Sequence, residues 1–152
     1  MVQLKFTVQI AAELEEVWAY FSDFANISQW DPNAKSVSPM KEEKGRVGST
    51  YDLISIWNGK ESHLTYQVRA YREHPQECYT AFWGENENVT CDDELFCRRK
   101  GPGVTELEYR ADICMKGVKV LLTPFILKGL KELTESCRQG CINKAKERWE
   151  KA

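Results

Sequence analysis

One carboxylate in this 152-residue chain is placed where it could do chemistry. Asp93 lies in a predicted strand in phase with Leu95 and Cys97, so an arrangement that buries those two residues also turns Asp93 inward. The opposite phase would bury Asp92 and Glu94, two carboxylates without partners, at a higher cost. An inward carboxylate in an apolar cavity has a raised pKa and can act as a general acid or base. Asp93 is therefore the catalytic candidate, with a position in water near a sheet end as the alternative.

Tyrosines on neighbouring strands are candidates for ligand contacts. Tyr51 and Tyr66 each combine an apolar ring with one hydroxyl group, which suits them to orienting a mostly apolar ligand. Tyr109 alternates with charged residues in a later strand, which places its ring on the inner side. For Tyr51 and Tyr66, the alternative is a pair of core tyrosines that are hydrogen-bonded to the backbone.

Nucleophilic, metal and phosphate chemistry have no comparable support. His63 is predicted on the outer sheet face and His74 precedes a proline, so no nucleophile can be assigned a histidine base. Cys137 and Cys141 lie one helical turn apart, but two ligands are too few for a metal site and no Cys-x-x-Cys pair is present. The segment 101–103 is a turn rather than a phosphate-binding loop. We expect no metal and no cofactor.

Composition sets the class of protein. Hydrophobic residues make up 42% and charged residues 29%, which is typical of a globular domain, and the length fits one domain over residues 1–152. The net charge of −2 and the lack of a basic cluster argue against a nucleic-acid partner. The apolar run at 120–122 is too short to span a bilayer, and the first residues do not resemble a signal peptide. We expect a cytoplasmic protein without a transmembrane segment, in which the six cysteines are free thiols.

The hydrophobic pattern begins with a strand and two short helices. Residues 2–10 alternate between apolar and polar side chains, which predicts a strand with one buried face. From Glu13 the apolar period becomes three and four, which predicts a helix that Ser22-Asp23 ends or interrupts. A second short helix is predicted from about Ala25 to Trp30.

Strands dominate the middle of the chain. The strongest are Ser49 to Trp57 and Lys60 to Arg72, joined by an Asn-Gly hairpin turn that makes paired residue numbers sum to 117. This register pairs Tyr51 with Tyr66 and Leu53 with Leu64. Further strands are predicted at residues 34–40, 78–83, 89–99 and 104–115. Ile54 and Ile56 are then exceptions on the otherwise polar outer face.

A long helix is predicted at the end of the sequence. Thr123 can cap it and Pro124 suits its first turn. Apolar residues then recur at spacings of three and four up to Trp149. An earlier start near Val118, with a kink at Pro124, is the alternative.

The order of elements and several short motifs resemble the START-like (SRPBCC) superfamily, in particular its polyketide cyclase/dehydrase branch. The motifs are Val8-Gln9-Ile10-Ala11-Ala12, Val17-Trp18, Phe21-Ser22-Asp23, Trp30-Asp31-Pro32 and Val47-Gly48-Ser49. The resemblance implies an α+β helix-grip fold, in which a curved antiparallel sheet of about seven strands surrounds the long C-terminal helix. It also implies a ligand pocket between the sheet and that helix.

Matching the hairpin register to the helical stripe predicts the residues that bind the ligand. They are Tyr51, Leu53, Leu64, Tyr66, Val68, Tyr109, Ile126, Leu130, Leu133 and Cys137.

Three functions remain open. The first is the binding, transport or sensing of a small hydrophobic or lipid-like molecule by a monomer or weak homodimer. The second is a cyclase or dehydratase in which Asp93 and the tyrosines move protons. The third is a protein-interaction module that uses the outer sheet face around Ile54 and Ile56.

Overall fold

Seven strands form one antiparallel sheet in the computed structural model, which describes residues 1–57, 59–117 and 123–150, except the side chains of 57 and 123–128. The strands are β1 (Val2–Ile10), β2 (Ala34–Lys41), β3 (Thr50–Trp57), β4 (Lys60–Arg72), β5 (Glu77–Glu85), β6 (Val89–Gly101) and β7 (Val104–Met115). The helices are α1 (Leu14–Phe21), α2 (Ile27–Trp30) and α3 (Thr123–Trp149), with a 3-10 turn at Phe24–Asn26. The sheet order is β1-β7-β6-β5-β4-β3-β2. From β2 onward, strands that are consecutive in the sequence are therefore adjacent in the sheet.

The predicted hairpin register is confirmed. Tyr51 pairs with Tyr66 and Leu53 with Leu64, and all four side chains are buried on the inner face. Gly59 has a φ of +75°, the left-handed conformation that this kind of tight hairpin turn requires. The other turn residue, 58, and the side chain of 57 lie outside the described residues.

The predicted outer-face position of Ile56 is wrong. Both Ile54 and Ile56 are half-buried, and Ile56 contributes to an internal cavity. At this end of the sheet β2 contains a bulge, because Ala34 pairs with Ser55 whereas Ser36 pairs with Ile54. A bulge bends the strand and increases its local twist, which strict alternation does not anticipate.

The first two helices cover one part of the inner face. α1 packs on β6 and β7, where Leu14 and Val17 are almost completely buried. The Asp23 carboxylate accepts a hydrogen bond from the Ala25 amide and so starts the 3-10 turn. The turn brings Phe24 onto the sheet.

The long helix α3 lies across the concave face, against β1 and α2. Cys137, Cys141 and Ala145 are buried along its inner side. Gly140 allows the close approach to α2, because a Cβ atom there would lie 2.1 Å from the Trp30 carbonyl oxygen. The proposed earlier start near 118 falls outside the described residues, as does the side chain of Thr123 that would cap the helix.

The architecture confirms the predicted α+β helix-grip fold of seven strands and a long C-terminal helix. No helix in the described parts of the chain is both long enough and apolar enough to cross a membrane. The six cysteines, all of them described, form no disulfide bond with one another.

Candidate functional site

A cavity of about 280 Å³ lies between the inner sheet face and α3. It extends from the β5–β6 turn to the level of Asp93, because the next inward residues along β6 and β7, Leu95 and Leu107, do not border it. Half of the bordering side chains are aliphatic or methionine: Leu4, Ile27, Ala34, Leu53, Ile56, Leu64, Val89, Ala111, Ile113, Met115 and Leu133. The volume is near the lower end of the range of small-molecule sites, which is about 300 to 1,000 Å³.

Six of the predicted ligand contacts border this cavity: Leu53, Leu64, Tyr66, Tyr109, Leu133 and Cys137. Their inward orientation follows from strand alternation on the sheet and from the apolar stripe on α3. Leu130 is half-buried against the core and is not among the bordering residues. The side chain of Ile126 lies outside those that the structure describes.

Tyr51 and Val68 differ from the prediction, since they are buried without bordering the cavity. For Tyr51 the reason is Phe24, whose ring lies 5.2 Å from the Tyr51 ring and 5.0 Å from that of Phe82, the residue paired with Val68; both distances are between ring centroids. This aromatic cluster fills the space over that part of the sheet. Tyr51 therefore serves as a core residue.

Asp93 faces inward and is only 5% exposed, so the predicted phase of β6 is confirmed and the position in water is excluded. Tyr109 and Tyr66 both donate their hydroxyl hydrogens to Oδ2 of Asp93, at oxygen–oxygen distances of 2.5 and 3.4 Å. β6 lies between the strands that carry the two tyrosines, next to β7 and separated from β4 by β5. Three polar groups thus converge at one end of the cavity.

The second oxygen of Asp93 is unpaired. Among the described residues, Oδ1 is the one buried side-chain oxygen or nitrogen without a hydrogen-bond partner. Such orphan atoms are rare in native proteins, because each costs about 1 to 3 kcal/mol of desolvation free energy. A ligand that supplied the missing partner would recover this cost.

Burial raises the pKa of Asp93 to about 7. The hydrogen bonds from Tyr109 and Tyr66 lower it, whereas the negative charges of Asp92 and Asp31 raise it further. A carboxyl group with this pKa can exchange a proton near neutral pH. Burial also raises the pKa of both tyrosines well above the ordinary value, so they remain protonated donors.

Gly84 positions the Tyr66 ring. The two residues are directly paired between β4 and β5, and a Cβ atom on Gly84 would lie 2.4 Å from the ring carbon Cζ. The ring therefore occupies the space that a side chain at 84 would need. This contact holds the Tyr66 hydroxyl near Asp93.

Acids and thiols surround the carboxyl group. Asp31 borders the cavity, and burial raises its pKa although two hydrogen bonds from Asn33 lower it. Burial raises the pKa of Cys91 to about 12 and that of Cys137 well above its ordinary value, so both thiols are protonated. No lysine, arginine or histidine is among the described residues that border the cavity.

Several cavity residues were absent from the predicted set. Cys91, Ala111 and Ile113 share the phase of Asp93 or Tyr109, so strand alternation contained the signal needed to find them. Asn86 and Asn88 lie in the β5–β6 turn, and their contribution depends on how that turn folds over the sheet. Sequence periodicity carries no such information.

The family follows from comparison with known proteins. The chain belongs to the family described as polyketide cyclase / dehydrase and lipid transport, whose model matches residues 1–140. The match confirms the resemblance of the sequence motifs. No curated protein sequence matches this chain significantly.

Solved structures show the same fold. The Zhui aromatase/cyclase from Streptomyces sp. R1128 superposes with a TM-score of 0.80 and 16% identity, over 99% of this chain and 96% of that one. A protein from Thermus thermophilus gives a TM-score of 0.77 and 14% identity, over 95% and 97% of the two chains. A START superfamily protein from Mycobacterium smegmatis gives 0.65 and 19%, over 90% and 97%. At these identities the likeness concerns the fold alone.

Proposed function

We propose that this protein binds a small, mostly apolar molecule in the cavity between the sheet and α3. The observation that carries the proposal is the cavity itself, which is bordered mainly by aliphatic, aromatic and thiol side chains and has three polar groups converging at one end. Burial of apolar ligand surface contributes about 25 cal/mol per Å², so such a site gains most of its affinity without polar contacts. We also propose that the chain forms one domain, that it is cytoplasmic, and that it is a monomer or a weak homodimer.

Native mass spectrometry of protein purified from its own source tests the proposal. We expect a co-purifying small molecule at a stoichiometry of one per chain. Leu133→Trp places a larger ring in the cavity and should abolish the bound mass. Met40→Trp makes the same change at an exposed position, 61% accessible, and should retain it.

Folding of both variants is checked by thermal melting, because overpacking alone costs about 1 to 3 kcal/mol. A folded Leu133→Trp variant that still carries the molecule would contradict the proposed site.

A second candidate function is a polyketide cyclase or dehydratase. The observation that favours it is the convergence of Tyr66, Asp93 and Tyr109, since a carboxyl group with a pKa of about 7 can both donate and accept a proton. The family description names cyclase and dehydrase members, and the Zhui protein is an aromatase/cyclase. In this function Asp93 would transfer protons to or from a substrate carbonyl or hydroxyl group while the tyrosines hold its other oxygen.

Product formation from candidate polyketide-like compounds separates the two functions. Under the enzyme function, Asp93→Asn lowers turnover about a hundredfold or more and leaves binding intact. Asp52→Asn, on the outer face of β3 where it pairs with Thr65, is the matched control and keeps full turnover. Absence of turnover by the unmodified protein, together with one-to-one ligand binding, would reject the enzyme function.

A further inference from the structure

The unpaired oxygen of Asp93 points to the kind of ligand that the cavity accepts. We propose that the Asp93 carboxyl group donates a hydrogen bond to a single oxygen of the ligand, and that the ligand is a neutral, mostly apolar molecule with a carbonyl group at one end. The inference rests on the proposed binding function and adds to it the chemical class of the ligand.

The hydrogen bonds already present determine which oxygen is available. Both tyrosine hydroxyls donate to Oδ2, so a proton on the carboxyl group is carried by Oδ1. Oδ1 is buried under the surrounding side chains. Asp93 borders the cavity, so a ligand that displaces the side chains over Oδ1 can reach this oxygen while Oδ2 keeps its hydrogen bonds to the tyrosines.

The charges around Asp93 favour the protonated form. From β4 and β7 it faces the neutral phenols of Tyr66 and Tyr109, and from its own strand the neutral thiol of Cys91. From α3 it faces the Cys137 thiol. The charged groups that act on Asp93 are two carboxylates, Asp31 after α2 and Asp92 on β6, and their negative charges raise its pKa.

None of these groups is a cation that would stabilise a carboxylate. A neutral carboxylic acid is a hydrogen-bond donor, and a carbonyl oxygen is the matching acceptor.

The number of unpaired atoms argues against a primary ammonium ligand. The ammonium group has three N–H donors, but among the described residues only one buried side-chain acceptor, Oδ1, lacks a partner. The other two donors would need acceptors that already take part in hydrogen bonds, and each donor left unpaired costs about 1 to 3 kcal/mol. A carbonyl oxygen is satisfied by one hydrogen bond.

Three probes that share one ring system test the inference by isothermal titration calorimetry. They are 2-acetylnaphthalene, the hydrocarbon 2-ethylnaphthalene and the amine 1-(2-naphthyl)ethylamine. At pH 5.5 we expect the ketone to bind about fivefold to tenfold more tightly than the hydrocarbon, the usual effect of one hydrogen bond. At pH 8.5 the carboxyl group is ionised, and we expect the preference for the ketone to disappear.

Two substitutions test whether the preference for the ketone comes from a hydrogen bond to residue 93 or from the shape of the ligand. Asp93→Asn keeps a donor, the Nδ2 amide, so we expect the ketone preference to persist and to become independent of pH. Asp93→Leu removes the donor, so the ketone should bind no better than the hydrocarbon. If the leucine variant does not fold, the pH series on the unmodified protein and on Asp93→Asn carries the test.

The outcomes separate this inference from the function on which it rests. Equal binding of ketone and hydrocarbon at pH 5.5 would overturn the inference and leave the proposed apolar binding intact. Tighter binding of the amine than of the ketone would also overturn it. If none of the three probes binds, the proposed function fails and the inference fails with it.

Discussion

The inward side chains in the two halves of β6 lie on the same face of the sheet but have different surroundings. Leu95 and Cys97 are 1% and 0% exposed and lie on the strand that α1 covers. Val89, Cys91 and Asp93 precede them in the same phase, yet they border the cavity. We call these two regions the packed half and the open half, with the boundary at Asp93.

The difference shows that covering elements, and not strand alternation, decide whether an inward residue meets protein or a void. α1 and the ring of Phe24 fill the space over one part of the sheet. Over the open half the sheet faces α3 at Leu133 and Cys137 without filling the space between them. The binding function is therefore assigned to the half of the sheet that α1 and Phe24 leave open.

The largest expected effect comes from truncating a matched pair of leucines. Leu107→Ala in the packed half should lower the free energy of unfolding by about 3 to 5 kcal/mol, because it opens a new cavity in a filled core. Leu64→Ala should cost about 1 to 2 kcal/mol less, since that side chain already borders a void and has fewer contacts to lose. Urea denaturation measures both values. Equal losses would contradict the distinction between the halves.

Asp93 at the boundary makes stability depend on pH. Its pKa of about 7 in the folded protein lies above the ordinary 3.8, so the folded state binds more protons between those pH values. Stability therefore falls as pH rises from about 4 to about 7 and is level above that range. Between pH 5 and pH 8 the loss is about 2 to 3 kcal/mol.

The Asp93→Asn variant should lose this pH dependence, as measured by denaturation at each pH, whereas Asp52→Asn on the outer face of β3 should keep it. An Asp93→Asn variant that declines in stability like the unmodified protein would assign the titration to another group.

A smaller effect is expected at Gly84, which positions the Tyr66 ring. Gly84→Ala forces the ring to move, since the added Cβ atom would lie 2.4 Å from Cζ. We expect a loss of about 1 to 3 kcal/mol. Gly101→Ala is the control, because its Cβ atom would meet nothing within 4 Å. Thermal melting compares the two, and unchanged stability of Gly84→Ala would mean that the ring is not held against this glycine.

The fold was largely predictable from the sequence because its signals are local. The Asn-Gly turn determined the β3–β4 register, and the change from period two to period three or four located α1 and α3. The inward phase of Asp93 followed from the cost of burying Asp92 and Glu94 together. These arguments need only neighbours along one strand or helix.

The extent of the cavity was less predictable because it depends on non-local packing. Nothing in the alternation of β3 and β4 distinguishes Tyr51, which Phe24 covers, from Leu53, which borders the cavity. The orphan Oδ1 of Asp93 likewise depends on where two hydroxyl groups from other strands point. Only three-dimensional placement reveals either feature.

The central claim is that a ligand enters the open half and stops at Asp93. Two-dimensional amide NMR spectra with increasing 2-acetylnaphthalene at pH 5.5 test it most directly. We expect the largest chemical-shift changes at Val89, Cys91, Ala111 and Ile113, with Leu95, Cys97 and Leu107 changing little. Shifts concentrated in the packed half, or on the outer sheet face, would contradict the account.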